Sequence, residues 1–324
     1  MNQIRKDIHR RSARASAWTI GRAGGLAVCA GLLLGPVGAW ATESGLAPCE
    51  GVGPASVLLA GQGALESIAF DQQGRLLFTA LFKGQLLRQD APQAAPVTVA
   101  SGVTNPGGIA VTGPAEAYVG VGNSLNGLVP ALGKAGIVKV DLDNGLVTPV
   151  VRGLSMANGL VRAADGTFYA SDDLAASLDR VLPDGTVQRT WLKQNSNGLA
   201  LSKDQKTLYV NQMIPARILA VDRATGQTSV VADAPPARKW SWLDGLDIDD
   251  QGRLYVVSYW AGEVWRLDPA SRQMCLLASG LSMPSAVAVG RAHGAYSATS
   301  IYVTTHSGRL HEVTNAVPSI PEGR

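Results

Sequence analysis

Short apolar runs separated by Gly- and Asp-rich turns recur from Ser56 almost to the end of the chain. No stretch after residue 41 carries the three-to-four-residue apolar spacing of a capped amphipathic helix. The clearest stretch is Leu243-Asp-Gly-Leu-Asp-Ile248, a tight turn at Asp250-Gln-Gly252, and a second run Leu254-Tyr-Val-Val-Ser258. Glu263-Val-Trp-Arg-Leu267 follows as a third run. The same grammar gives Thr207-Leu-Tyr-Val-Asn211 and Arg217-Ile-Leu-Ala-Val-Asp222, and before them Thr167-Phe-Tyr-Ala-Ser-Asp172 and Leu178-Asp-Arg-Val-Leu182. More polar runs, Val147–Val151, Val187–Trp191 and Thr228–Ala232, close these groups as outer strands.

The groups repeat. Glu66-Ser-Ile-Ala-Phe, Gly107-Gly-Ile-Ala-Val, Asn158-Gly-Leu-Val-Arg, Asn197-Gly-Leu-Ala-Leu, Asp244-Gly-Leu-Asp-Ile and Ser285-Ala-Val-Ala-Val open successive copies at steps of 41, 51, 39, 47 and 41 residues. That period suits four-stranded propeller blades. The expectation is an all-β, six-bladed β-propeller whose ring is closed by an N-terminal strand near Ser56–Ala60. The longest step contains a Gly-rich insertion, Asn123 to Gly136, between strands of the second blade.

If each phrase opens the innermost strand, the six head residues meet at one end of the central channel. Glu66, Asn158, Asn197 and Asp244 then offer oxygen to one cation. An all-oxygen set favours Ca²⁺, with Zn²⁺ or Mn²⁺ as alternatives. Taken singly, Asn-Gly and Asp-Gly are ordinary turn signals; the argument rests on their equivalent places in different repeats. Asp172 and Asp173 are secondary candidates for the channel. Trp242, Tyr259 and Trp260 fit a pocket wall or the core. His306 and His311, with no nucleophile motif nearby, are expected to be structural or exposed.

The first 41 residues change the reading of charge and compartment. Six basic residues from Arg5 to Arg22 precede the apolar run Ala23–Val37, and Ala39-Trp-Ala41 is a small-x-small cleavage site. A cleaved export signal (1–41) followed by a single domain (42–324) is expected, with a periplasmic or secreted product. A membrane anchor is the alternative, although Gly35-Pro36 interrupts an already short run. The segment holds six of the 28 Lys+Arg and one of the 25 Asp+Glu, so the remainder carries 22 against 24, a net of −2. No basic character remains to suggest nucleic acid, and no stable membrane span is expected after cleavage. Cys49 and Cys275 are then the only thiols outside the segment. If an N-terminal strand completes the sixth blade, Cys49 falls near the outer strand of the fifth, and a Cys49–Cys275 bridge becomes possible; two separate thiols are the alternative.

Asn197-Gly-Leu-Ala-Leu-Ser-Lys-Asp-Gln-Lys-Thr-Leu-Tyr209 and Asp244-Gly-Leu-Asp-Ile-Asp-Asp-Gln-Gly-Arg-Leu-Tyr-Val256 are similar to fourth- and fifth-blade signatures of the SMP-30/gluconolactonase/LRE-like family. The chain resembles that family over residues 55–313; paraoxonase-like propellers share the Asn-Gly and Asp signature. The resemblance implies one divalent metal held by Glu66, Asn158, Asn197 and Asp244, and hydrolysis of a lactone or related ester. Asp244 is then the candidate base for activating water. Three positions depart from family patterns. Met156 stands where sugar lactonases tend to place an Arg, Asn211 where many members carry an acid, and Gly107 near where the paraoxonase branch uses a His. The rival expectation is a non-catalytic propeller that binds a protein or glycan and uses the metal to tie blades together. A strictosidine-synthase-like condensing enzyme is a third, for which no Glu base can be placed.

Overall fold

A computed structural model describes residues 45–124 and 135–319. Residues 1–44, which include the expected export signal and Cys29, and residues 125–134 of the second-blade insertion lie outside the described residues. Among the described residues, twenty-four strands form six four-stranded antiparallel sheets. The first blade is β2 (Leu65–Phe70), β3 (Leu76–Ala80), β4 (Gln85–Gln89) and β5 (Val97–Ser101), paired in that order. The second runs β6 (Ile109–Gly113), β7 (Glu116–Val121), β8 (Gly136–Asp141) and β9 (Val147–Arg152). The third is β10 (Leu160–Arg162) to β13 (Val187–Leu192), the fourth β14 (Leu199–Leu201) to β17 (Thr228–Asp233), and the fifth β18 (Leu243–Ile248) to β21 (Met274–Ala278).

The sixth blade is completed from the other end of the chain. Its strands β22 (Pro284–Val289), β23 (Ile301–Thr305) and β24 (Leu310–Val313) are joined by β1 (Ala55–Leu59), which pairs antiparallel with β24 from Ala55↔Val313 to Leu59↔Leu310. Just upstream, Pro48 bridges Leu276 of β21, the Cys49 amide donates to the Leu276 carbonyl at 2.8 Å, and a disulfide joins Cys49 to Cys275. One N-terminal segment is therefore strapped to the fifth blade and built into the sixth.

Burial follows this architecture. Both faces of a blade's middle strands are covered by neighbouring blades, so β3, β11 (Phe168–Asp172), β19 (Leu254–Ser258) and β23 are buried at every position. The outer strands β5, β9 and β17 are largely exposed, in keeping with their Thr- and Ser-containing sequences. Six apolar clusters each lie between two neighbouring sheets. Phe78, Tyr302 and Leu310 join the sixth blade to the first, and Tyr255, Val257, Val287 and Val303 join the fifth to the sixth. The core is thus a ring of six inter-blade layers around a channel. Among the described residues no helix is long and apolar enough to cross a membrane, and the described helical structure consists of short turns such as the 3-10 turn Pro236–Arg238.

Candidate metal and catalytic site

The six heads sit at one recurring backbone device. In each blade two residues at the start of the inner strand oppose a single residue of the second strand, which is a β-bulge. The Asn197 amide donates to the Asn211 carbonyl, and the Asn211 amide returns to the carbonyl of Gly198, one residue further on. Asn158 and Gly159 oppose Ser171 in the same way, and Gly107 and Gly108 oppose Gly120. Register shifts between Leu65 and Ile68 and between Leu243 and Leu246 place Glu66 and Asp244 at the same irregularity. The bulge gives each head a fixed aim at the end of its strand.

The glycines after these heads are not turn residues. A Cβ on Gly198 would lie 2.4 Å from the Asp244 carbonyl oxygen and 2.5 Å from the Leu246 nitrogen, and one on Gly245 would lie 2.5 Å from Ala286 Cα. Adjacent inner strands approach too closely for any side chain there. The Asn-Gly and Asp-Gly dipeptides combine a polar head with a contact that only glycine permits.

Glu66, Asn158, Asn197 and Asp244 line one cavity of about 240 Å³, the central channel. Glu66 is the hub: its carboxylate accepts from Asn123 Nδ2 at 2.9 Å and Asn158 Nδ2 at 3.2 Å, and it also contacts His306 Nε2. His306 Nδ1 in turn lies 3.0 Å from the Tyr259 hydroxyl. Asn197 lies beside the Asp244 carboxylate, whose charged form its amide favours, and places its Nδ2 3.9 Å from Met213 Sδ. The Asp244 main chain is held from the preceding blade, where Asn211 Nδ2 donates to the carbonyls of Asp244 at 2.8 Å and Gly245 at 3.0 Å.

The electrostatics are those of crowded, buried carboxylates. Burial, then repulsion from Glu66 and Asp173, pushes the Asp244 carboxyl well above the ordinary range, against the opposing effect of the Asn197 amide. Asp173 is pushed up to about 7 by burial, then by Glu66 and Asp172, and one of its buried oxygens, Oδ1, has no hydrogen-bond partner. Burial alone would lower the pKa of His306, but the Glu66 and Asp173 carboxylates together outweigh it and the net shift is upward. A bound cation would relieve this repulsion. Among the described residues no three His, Cys, Asp or Glu side chains form a ready-made cation cage. A hard cation would therefore depend on the amide oxygens of Asn158 and Asn197 beside two carboxylates, a donor set that suits Ca²⁺.

All four predicted head residues are brought together. Asp173 joins them electrostatically, whereas Asp172 spends its Oδ1 on the amides of Leu174 and Ala175. Two residues at the site were not anticipated. Asn123 reaches Glu66 from the start of the insertion, and His306, expected to be structural or exposed, contacts it from the sixth blade. Neither carried a repeat signal, because each projects from a loop between second and third strands. Asn211 proves to be an inter-blade tie, and Met156 is fully buried. Trp242, Tyr259 and Trp260 form an edge-to-face group beside Asp244, with ring centroids 6.4 Å apart for Trp242–Trp260 and 4.9 Å for Tyr259–Trp260.

Residues 66–307 match the sequence model of the SMP-30/gluconolactonase/LRE-like region. The chain belongs to this family. No curated protein matches it significantly. Among solved structures it is similar to a gluconolactonase from Xanthomonas campestris (TM-score 0.63, 20% identity, 80% of this chain and 88% of that one). It is also similar to the calcium-binding protein regucalcin from Agrobacterium tumefaciens (TM-score 0.63, 16% identity, 81% and 93%). A virginiamycin B lyase from Staphylococcus aureus shares the fold at TM-score 0.54 and 11% identity, covering 80% and 98%. Propellers of this build thus carry lyase as well as lactonase chemistry, and for this SMP-30/gluconolactonase-family chain the assignment rests on its own site.

Proposed function

We propose that this SMP-30/gluconolactonase-family protein is an exported hydrolase of lactones or related esters, dependent on a divalent cation, Ca²⁺ by its donor set. The observation that carries the reading is the meeting of Glu66, Asn158, Asn197 and Asp244 in one channel cavity, with carboxylates that repel one another. Membership of a family that includes gluconolactonases, and the likeness to a calcium-binding regucalcin, support it. The arginine-rich start of the chain and the Cys49–Cys275 bridge support export to an oxidising compartment.

The cation, held by these four residues, would supply the Lewis acidity that polarises the ring carbonyl. The chain's own groups do the rest. Asp244, ionised once the cation offsets the repulsion around it, takes a proton from water as the water oxygen adds to the carbonyl carbon. The ring C–O bond then breaks, and the proton returns to the leaving oxygen to give a hydroxy acid. His306, Asn123 and Asn158 hold the Glu66 carboxylate in place. Trp242, Tyr259 and Trp260 offer an apolar wall to the substrate's substituent, and with Met156 buried no cation grips hydroxyls from that position.

Hydrolysis of aldono-, γ- and long-chain lactones is the test, with and without chelator and with Asp244→Asn alongside. Turnover that needs the cation and is lost in the variant is expected. Cation binding by calorimetry without turnover of any lactone would leave a structural ion and overturn the hydrolase reading.

A further inference from the structure

Inner strands run away from the mouth and second strands run back, so the loops between second and third strands, and those leading into each inner strand, share the face where the channel opens. Contacts made by Asn123, Tyr259 and His306 at the site confirm the placement. This face carries an unusual set of side chains. Phe82, Leu174, Ile214, Trp240, Trp260 and Met283 lie in these loops in five of the six blades, and all are exposed, Phe82 to 81%, Trp240 to 64% and Trp260 to 65%. The remaining exposed large apolar residues, such as Val57, Val150 and Val230, lie mainly on outer strands.

Exposed charge in the described loops of this face has one sign. Exposed Lys83, Lys193, Lys239 and Arg309 stand among the apolar residues, and the Lys239 ammonium lies 5.3 Å from the Trp240 ring centroid. The described loops of this face carry no exposed carboxylate. At its strand ends Asp233 is ion-paired with Arg217 at 3.0 Å, and the buried Glu263 with Arg238 at 2.8 Å. Exposed acids gather on the opposite face, where Asp90, Asp143, Asp184, Asp204, Asp222 and Asp250 occupy turns alongside basic residues.

We propose that the channel mouth docks on an anionic lipid surface. Exposed Trp and Phe interleaved with Lys, all on one face, is the arrangement that seats a protein at a headgroup layer. The rings enter the acyl boundary while the ammonium groups meet lipid phosphates. Trp240 and Trp260 rise side by side, the Trp260 amide bonding the Ser241 carbonyl at 3.0 Å, while Phe82, Leu174, Ile214 and Met283 stand as prongs from four other blades around the opening. A fluid lipid layer accepts such prongs wherever they fall, whereas a folded partner would need a matching pit for each. Docked in this way, the mouth would face molecules dissolved in the lipid. The inference rests on the surface and not on the lactonase reading.

Co-sedimentation with phosphatidylcholine vesicles, with and without phosphatidylglycerol, tests it on protein recovered by export, wild type and variants sharing one N-terminus. Wild type should bind the phosphatidylglycerol vesicles, with blue-shifted tryptophan emission and weaker binding at high salt. Phe82→Ser/Trp240→Ser should lower partitioning about tenfold or more, and Lys83→Glu/Lys239→Glu should abolish the preference for anionic lipid. Thermal melting should show both variants folded, since all four side chains are exposed. Failure of wild type to bind, or equal binding by the variants, would overturn the proposal. So would a lipid-free dimer that Phe82→Ser/Trp240→Ser dissolves, which would make the occupant a second copy of the chain.

Discussion

Removing the Cys49–Cys275 bridge probes how the ring is held shut. The two cysteines are 226 residues apart in sequence, and in the chain-entropy model closing so long a loop removes about 18 cal/mol/K from the unfolded ensemble, or ~5 kcal/mol at 25 °C. Cys49→Ala/Cys275→Ala keeps both Cβ atoms and adds no buried hydroxyl at Cys49, which is 3% exposed, so little native packing is lost. For a domain of this size the loss corresponds to a fall in Tm of roughly 10 °C. Urea unfolding followed by the fluorescence of buried Trp265 should show a lower midpoint with an equal or larger slope, because the unfolded chain is freed to expand. Wild type unfolded in reductant should match the variant. A double variant within about 1 kcal/mol of wild type would refute the reasoning; it would mean that the pairing of β1 with β24 and the apolar layers close the ring unaided.

Three further outcomes follow from the site. Gly198→Ala drives a Cβ to 2.4 Å from the Asp244 carbonyl; it should cost about 1–3 kcal/mol in urea unfolding and reduce cation affinity by calorimetry. Asn211→Ala strips two hydrogen bonds from the Asp244 and Gly245 carbonyls; about 1–3 kcal/mol of stability should go, with lactone kcat falling further than that of a surface control. The third concerns pH. With its pKa pushed up to about 7, Asp173 binds a proton more tightly folded than unfolded. In chelator, stability should therefore be greatest below about pH 4 for this group's contribution and decline by a few kcal/mol as pH rises to about 7. Urea midpoints across that range should flatten when Ca²⁺ replaces the proton; the same decline with saturating Ca²⁺ would show that the cation does not reach these carboxylates.

Much of this molecule was legible in one dimension, because a propeller blade is a local object. Consecutive strands pair with one another, so apolar period, turn residues and a repeat near forty residues were enough to place the blades. The four heads were legible for the same reason: Glu66, Asn158, Asn197 and Asp244 occupy one phase of the repeat. Tertiary structure decided what depends on neighbours distant in sequence. The Asn-Gly dipeptides read as turns until the adjacent blade's backbone was seen against the glycine. Asn211 read as a missing acid until its amide was found holding Asp244. His306 and Glu66, 240 residues apart, meet only when the first and sixth blades close the ring, and the Cys49–Cys275 bridge becomes definite only when the N-terminal segment lies along β21. Periodicity fixes what a residue faces within its own sheet; only ring closure fixes what it faces across the channel.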